Sequence, residues 1–78
     1  MTKLYFSHES PDECDYAETP FDTREGAYRM ACEQAQHVLN FHNEHVPGGR
    51  YTIHHGKTTV VVTGVWQGAD DLHVWMVL

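Results

Sequence analysis

The stretch DTREGAYRMACEQAQHVLNFHNEHV, residues 22–46, carries a helical period. At about 100° per residue, its apolar side chains fall on one side of a helix and its polar side chains on the other. The predicted buried side comprises Ala27, Met30, Ala31, Ala35, Val38 and Phe41. Because three of these residues are alanines, the helix backbone can lie close to a sheet. The stretch therefore predicts one amphipathic helix in a helix-on-sheet layer.

Both ends of this helix have sequence signals. Asp22 precedes Glu25 by three residues, which is the spacing of a capping box, so Asp22 or Thr23 is the expected N-cap. At the other end, the VPGG sequence of residues 46–49 cannot continue a helix. We therefore expect the helix to end at about His45.

Strand-forming segments lie on both sides of the helix. The predicted strands are Leu4–Phe6, Arg50–His55, Thr58–Val65 and Leu72–Leu78. Turns are expected at His55–Lys57 and Gly68–Asp71, and Ser10–Pro20 is expected to be a loop because it combines two prolines with many acidic residues. The order is β-α-β-β-β. This predicts an α+β fold, one helix packed on an antiparallel sheet, as a single domain over residues 1–78.

A single helix covers only one face of such a sheet. Alternation along the last strand separates Leu72, Val74, Met76 and Leu78 from His73, Trp75 and Val77. We expect the uncovered face to include some of Trp75, Val77, Thr59, Val61 and Thr63. Since this face is more apolar than a solvated sheet face usually is, it predicts contact with a foreign protein or with a second copy in a homodimer.

The composition is that of a globular chain, because 41% of the 78 residues are hydrophobic and 12% are aromatic. The formal net charge is −6 at pH 7, which disfavours direct binding to nucleic acid and to an anionic membrane surface. The charge is concentrated, since Glu9–Glu25 contains seven of the eleven acidic residues and only one base, Arg24.

The first ten residues lack the apolar core of a signal peptide, and no run of 18 apolar residues occurs. We therefore expect a cytoplasmic protein, located in the host cytoplasm if a phage encodes it. Cys14 and Cys32 are expected to remain thiols there. Cys14 has acidic neighbours and Cys32 lies mid-helix, so both are poor candidates for a nucleophile. Asp70 and Asp71 are expected on an exposed turn, and we predict no enzymatic activity.

Histidines suggest an alternative function. His42 and His45 share a helix face, and His54 and His55 follow in the next strand, so they could form an open zinc site in a small metal-binding or housekeeping domain of mobile-element origin. The HExxH and paired CxxC patterns of metal sites are both missing from the sequence. We therefore expect hydrogen-bonded or solvated histidines, with no metal and no cofactor.

The acidic segment has two interpretations: it is a solvated loop followed by a capped helix start, or it is a protein-binding surface, which is the interpretation we adopt. Its charges, with aromatic side chains as anchors, suit a Lys/Arg-lined groove that otherwise holds nucleic acid. The predicted partner-binding residues are Glu9, Asp12, Glu13, Asp15, Tyr16, Glu18, Phe21 and, on the sheet, Trp75.

In its length, its acid-rich segment and its predicted β-α-β-β-β order, the chain resembles the small acidic proteins of phages and mobile elements that inhibit CRISPR complexes. The resemblance covers the whole chain but includes no shared sequence motif. It implies binding to a Cas effector subunit and blocking of the path that target DNA takes. The sequence hypothesis is thus a non-enzymatic, anti-CRISPR-like inhibitor.

Overall fold

A computed structural model describes residues 2–46 and 50–78 of the protein. In chain order the elements are β1 (Thr2–Glu9), β2 (Cys14–Phe21), α1 (Arg24–His45), β3 (Thr52–His55), β4 (Thr59–Trp66) and β5 (Ala69–Val77). The strands form one antiparallel sheet in the order β2-β1-β5-β4-β3. The α+β class and the helix packed on an antiparallel sheet are confirmed, as is the predicted succession of strand, helix and three strands.

The structure adds one strand to this succession. Residues 14–21 were expected to belong to a loop, but they form β2, which pairs with β1 along its whole length, from Glu9 opposite Cys14 to Thr2 opposite Phe21. Proline and acidic residues usually argue against a strand. They are tolerated here because β2 is an edge strand and its residues Cys14–Pro20 are exposed.

Helix α1 begins and ends close to the predicted positions. Thr23 is its N-cap, and the Thr23 hydroxyl accepts a hydrogen bond of 3.0 Å from the Gly26 N–H. Val46 is its C-cap, while the remainder of the predicted stop, residues 47–49, lies outside the described residues.

The alanine stripe of α1 faces the sheet as predicted. Ala27, Ala31 and Ala35 are buried, and Met30 and Val38 pack at the margins of the core. Phe41 was also assigned to this side, but its side chain is 52% exposed, so that assignment was wrong. Phe41 lies near the end of the helix, where it lines a cleft.

The faces of β5 are opposite to those expected. Trp75 and Val77 are buried beneath the helix, and the Trp75 indole donates a hydrogen bond of 2.9 Å to Gln34 Oε1. Helix-side neighbours across the sheet include Val60, which is opposite Trp75, and Leu4, which is opposite Val77. The prediction that Trp75 and Val77 lie on the uncovered face was therefore wrong.

The uncovered face instead carries the alternate residues. Those with apolar side chains on β1, β4 and β5 are Tyr5, Val61, Val65, Leu72, Val74 and Met76. Thr59 and Thr63 lie on this face as expected, since they are opposite Met76 and Leu72. The outer face is thus apolar at its centre, and its covering by a partner or a second copy stays a prediction.

Among the described residues, no helix has the length and apolarity needed to cross a membrane.

Candidate functional site

The acidic residues selected from the sequence are gathered at one end and one edge of the sheet. Glu9 ends β1, Asp12 and Glu13 lie in the connection to β2, and Asp15 and Glu18 lie on β2. All five are exposed. Ser10 closes the connection, because its N–H donates to the Glu13 carbonyl at 2.8 Å and its hydroxyl accepts from the Glu13 N–H at 3.1 Å.

The aromatic residues of the predicted binding surface have three different environments. Tyr16 is 75% exposed on the outer side of β2, as an anchor for a partner must be. Phe21 is half-buried and packs against the core, so only part of its ring is accessible. Trp75 is 1% exposed and cannot contact a partner without unfolding, which corrects its assignment to the binding surface.

A cleft of about 430 Å³ opens beside this acidic connection. One wall is formed by the end of α1, which contributes Phe41, His42 and His45, and the opposite side includes His8 and Asp71. Ser10, Asp12, Glu13, Val46, Trp66 and Gln67 complete its lining. The cleft therefore joins the acidic connection to side chains that can bind protons or metal ions.

Asp71 lies at the centre of a polar cluster within the sheet and helix layers. It was expected on an exposed turn with Asp70, but β5 starts at Ala69 and the Asp71 side chain is buried on the helix side. Asp71 Oδ1 lies 2.7 Å from His8 Nε2 and 3.5 Å from His73 Nε2. The His8 and His73 rings stack with their centroids 4.0 Å apart and their planes 9° apart.

The second oxygen of Asp71 lies close to two further side chains, one of which is hydrogen-bonded to it. Tyr51 Oη donates a hydrogen bond of 2.6 Å to Asp71 Oδ2, and His42 Nε2 lies 3.7 Å from the same oxygen. The Tyr51 backbone is held in turn by Asn43, whose Oδ1 accepts from the Tyr51 N–H at 2.8 Å. We call His8, His42, Tyr51, Asp71 and His73 the histidine cluster.

Burial and hydrogen bonding set the charges of this cluster. Burial lowers the pKa of His73 to about 4, with His8 adding to the shift and the Asp71 carboxylate opposing it, so the His73 ring is neutral at pH 7. Burial raises the pKa of Asp71, but hydrogen bonds from Tyr51 and His8 outweigh this and keep the pKa below its usual value. Burial and the bond to Asp71 raise the pKa of Tyr51. The cluster thus holds a carboxylate, a phenol and a neutral imidazole.

Sequence reasoning found only one member of this cluster, His42. The other histidines named with it lie outside the histidine cluster, since His45 is exposed at the cleft rim and His54 and His55 are exposed on β3. His8 and His73 meet because they are directly opposite in the β1–β5 register. The sequence signal was present only at His73, a polar residue in the strongly apolar segment Leu72–Leu78, since His8 lies between Ser7 and Glu9.

Comparison of the chain with protein-family models, curated proteins and solved structures finds no match. The functional inference therefore depends on the geometry of the acidic edge and the histidine cluster.

Proposed function

We propose that the protein is a non-enzymatic inhibitor that binds a protein partner through the acidic edge strand β2 and competes there with nucleic acid. The position of β2 is the observation that supports this most. It pairs with β1 on one side, it is the last strand of the sheet, and Cys14–Pro20 are exposed. An exposed edge offers backbone N–H and C=O groups to an extended segment of another protein.

The charges on β2 favour a basic partner. Asp15 and Glu18 project from opposite faces of the strand, because Asp15 is opposite His8 on the helix side and Glu18 is opposite Tyr5 on the outer side. Two copies of β2 paired with each other would bring like charges together, which is destabilising. A Lys/Arg-rich surface would instead be attracted, and association would be steered by charge.

Nucleic-acid-binding grooves are surfaces of this kind, since they neutralise phosphates with Lys and Arg. The protein would occupy such a groove as an acidic competitor. The resemblance to CRISPR inhibitors makes the DNA-binding surface of a Cas effector complex the first candidate partner.

The test is displacement of target DNA from purified Cas effector complexes at low and moderate salt. The strand variant carries Asp15→Lys and Glu18→Lys, and a matched control carries Glu33→Lys and Glu44→Lys on the exposed side of α1, so both change the formal charge equally. We expect displacement by the wild type and by the control, weakened by salt, and loss of displacement by the strand variant.

Circular dichroism of both variants checks that they fold as the wild type does. Displacement by the strand variant equal to that by the wild type would remove the edge strand from the interface. Failure of the wild type to bind any of the complexes would contradict the choice of partner.

A further inference from the structure

In the described part of the chain, the only buried side-chain nitrogen or oxygen atoms without a hydrogen-bond partner are the two ring nitrogens of His73. His73 is only 4% exposed, so bulk water does not supply the partners that residues 2–46 and 50–78 leave missing. Buried polar atoms are nearly always paired, because an unpaired one keeps the full cost of its removal from water. The ring is nevertheless directed at a polar group, since His73 Nε2 lies 3.5 Å from Asp71 Oδ1.

Three potential ligand atoms converge at this point. One nitrogen each of His8 and His73 and one oxygen of Asp71 all lie within 4.8 Å of one another. Bonds of about 2.0–2.1 Å in a tetrahedral zinc site place neighbouring ligand atoms about 3.3 Å apart. The distances from Asp71 Oδ1, 2.7 Å to His8 Nε2 and 3.5 Å to His73 Nε2, lie on either side of this value. Because the His8 and His73 rings are nearly parallel, with planes 9° apart, one ring must also turn for both nitrogen lone pairs to point at a single ion.

The surrounding contacts are those that orient metal ligands. Tyr51 holds Asp71 through Oδ2, which leaves Oδ1 directed at the two histidines. His8 Nδ1 lies 3.6 Å from Glu13 Oε2, so its outer nitrogen faces a carboxylate. Ligating histidines in metalloproteins typically direct their second nitrogen at a carboxylate or a backbone carbonyl.

On the helix, one ring nitrogen of His42 is likewise directed at a backbone carbonyl. Its Nδ1 lies 2.8 Å from the Val38 carbonyl oxygen. Because a carbonyl only accepts, this nitrogen carries the proton and the neutral ring has its lone pair on Nε2. That Nε2 lies 3.7 Å from Asp71 Oδ2, at the wall of the cleft.

We propose that His8, Asp71 and His73 bind a zinc ion, with His42 as the next available ligand. Two imidazoles and a carboxylate suit zinc and leave a coordination position open. His8, Asp71 and His42 line the cleft, so solvent or, after a further shift, His42 Nε2 can occupy that position. The inference goes beyond the acidic-edge function and does not depend on it, because none of the three ligands lies on β2.

The experiment titrates ZnCl2 into untagged protein that has first been dialysed against EDTA, and follows binding by calorimetry and by the thermal unfolding midpoint. We expect one ion per chain and a rise in the midpoint, since an ion that binds only the folded state stabilises it. Co²⁺ in place of zinc reports the ligand geometry through its visible absorption spectrum.

His8→Gln is the principal variant because the His8 side chain is 17% exposed, against 4% for Asp71 and 5% for His73. Loss of a ligand should weaken zinc binding by at least about 100-fold, since removing even an outer-shell partner costs 10- to 100-fold. The matched control is the double variant His54→Gln and His55→Gln, which removes two exposed histidines from β3. Its affinity should equal that of the wild type.

Nitrogen NMR of the imidazoles tests the site in the wild-type protein, independently of how any variant folds. One equivalent of zinc should shift the ring nitrogens of His8 and His73 and leave those of His54 and His55 unchanged. The proposal is overturned if the wild type fails to bind zinc at a ratio of one to one. It is equally overturned if His8→Gln binds as the wild type does, or if the shifts occur at His54 and His55 instead.

Discussion

The ring of Tyr51 covers Gly64 so closely that a Cβ on Gly64 would lie 2.5 Å from two of its ring carbons. Gly64 is opposite Asp71 in the β4–β5 register, and Tyr51 immediately precedes β3 on the other side of β4. The missing side chain lets the tyrosine ring cross β4 and donate its 2.6 Å hydrogen bond to Asp71. A glycine in a strand interior often marks such a close approach.

Gly64→Ala should therefore destabilise the protein. The added methyl group forces the buried Tyr51 ring to move and lengthens its bond to Asp71, with an expected cost of about 1–3 kcal/mol in the free energy of unfolding. Urea unfolding measures this cost. Gly68→Ala is a useful contrast, because nothing lies within 4 Å of its added Cβ and only its positive φ of 80° opposes the substitution. A Gly64→Ala protein as stable as the wild type would show that the Tyr51 ring is not held there.

Tyr51→Phe removes one hydroxyl and keeps the ring. The buried Asp71 carboxylate then loses a donor that stabilises its charged form, so the free energy of unfolding should fall by about 1–3 kcal/mol. The pKa of Asp71 should rise toward its ordinary value. Acid unfolding followed by circular dichroism should show a midpoint at higher pH than in the wild type, and an unchanged midpoint would contradict the role of this bond.

Metal-free protein should lose stability as the pH falls from about 6.5 to about 4. The pKa of His73 is lowered from 6.5 to about 4 on folding, so between these values the unfolded chain binds a proton that the folded protein excludes. Above a pH of about 6.5, His73 is neutral in both the folded and the unfolded chain and its titration does not affect stability. On lowering the pH toward 4, the free energy of unfolding should fall by on the order of 2–3 kcal/mol. The lowered pKa of Asp71 extends the loss to lower pH, because its stabilising effect disappears as the carboxylate becomes protonated.

Urea unfolding in EDTA at pH 7.5 and 4.5 measures this dependence. His73→Phe substitutes a ring that does not titrate, beside Phe6 and Trp75, and should flatten the dependence in that interval. Equal pH dependence of the variant and the wild type would assign the effect to other groups.

Ala31→Leu tests the helix-on-sheet contact. Ala31 is 1% exposed, so a larger side chain has no room and should cost about 1–3 kcal/mol through displacement of α1. Gln36→Leu, at an exposed position of the same helix, should change the free energy of unfolding by less than about 0.5 kcal/mol. Thermal unfolding of the two variants compares them directly, and equal midpoints would mean that the alanine stripe is not tightly packed.

Local pattern was sufficient to predict the helix and most of the strands. The helical period and the β-branched run Thr58–Val65 depend only on neighbours along the chain, and both α1 and β4 formed where they were expected. Strand β2 was not predicted, because an exposed edge strand needs neither an apolar face nor a full set of backbone donors. Its acidic residues and Pro20 therefore resemble those of a loop.

Alternation separated the two faces of β5, but it could not tell which one the helix covers. Both sets of side chains contain large apolar residues, so their periodicity is equally strong. The packing of α1 decided the matter by burying Trp75 and, with it, Asp71 and His73.

The histidine cluster depends on tertiary structure for the same reason. His8 and His73 are near opposite ends of the chain, and only the register of β1 against β5 stacks their rings. Strand pairing between distant segments is selected by the total packing of the sheet and helix, and no local pattern encodes it. The sequence alone therefore determined the helix, the other four strands and the concentration of negative charge, while the tertiary structure decided the edge strand β2 and which polar side chains converge on Asp71.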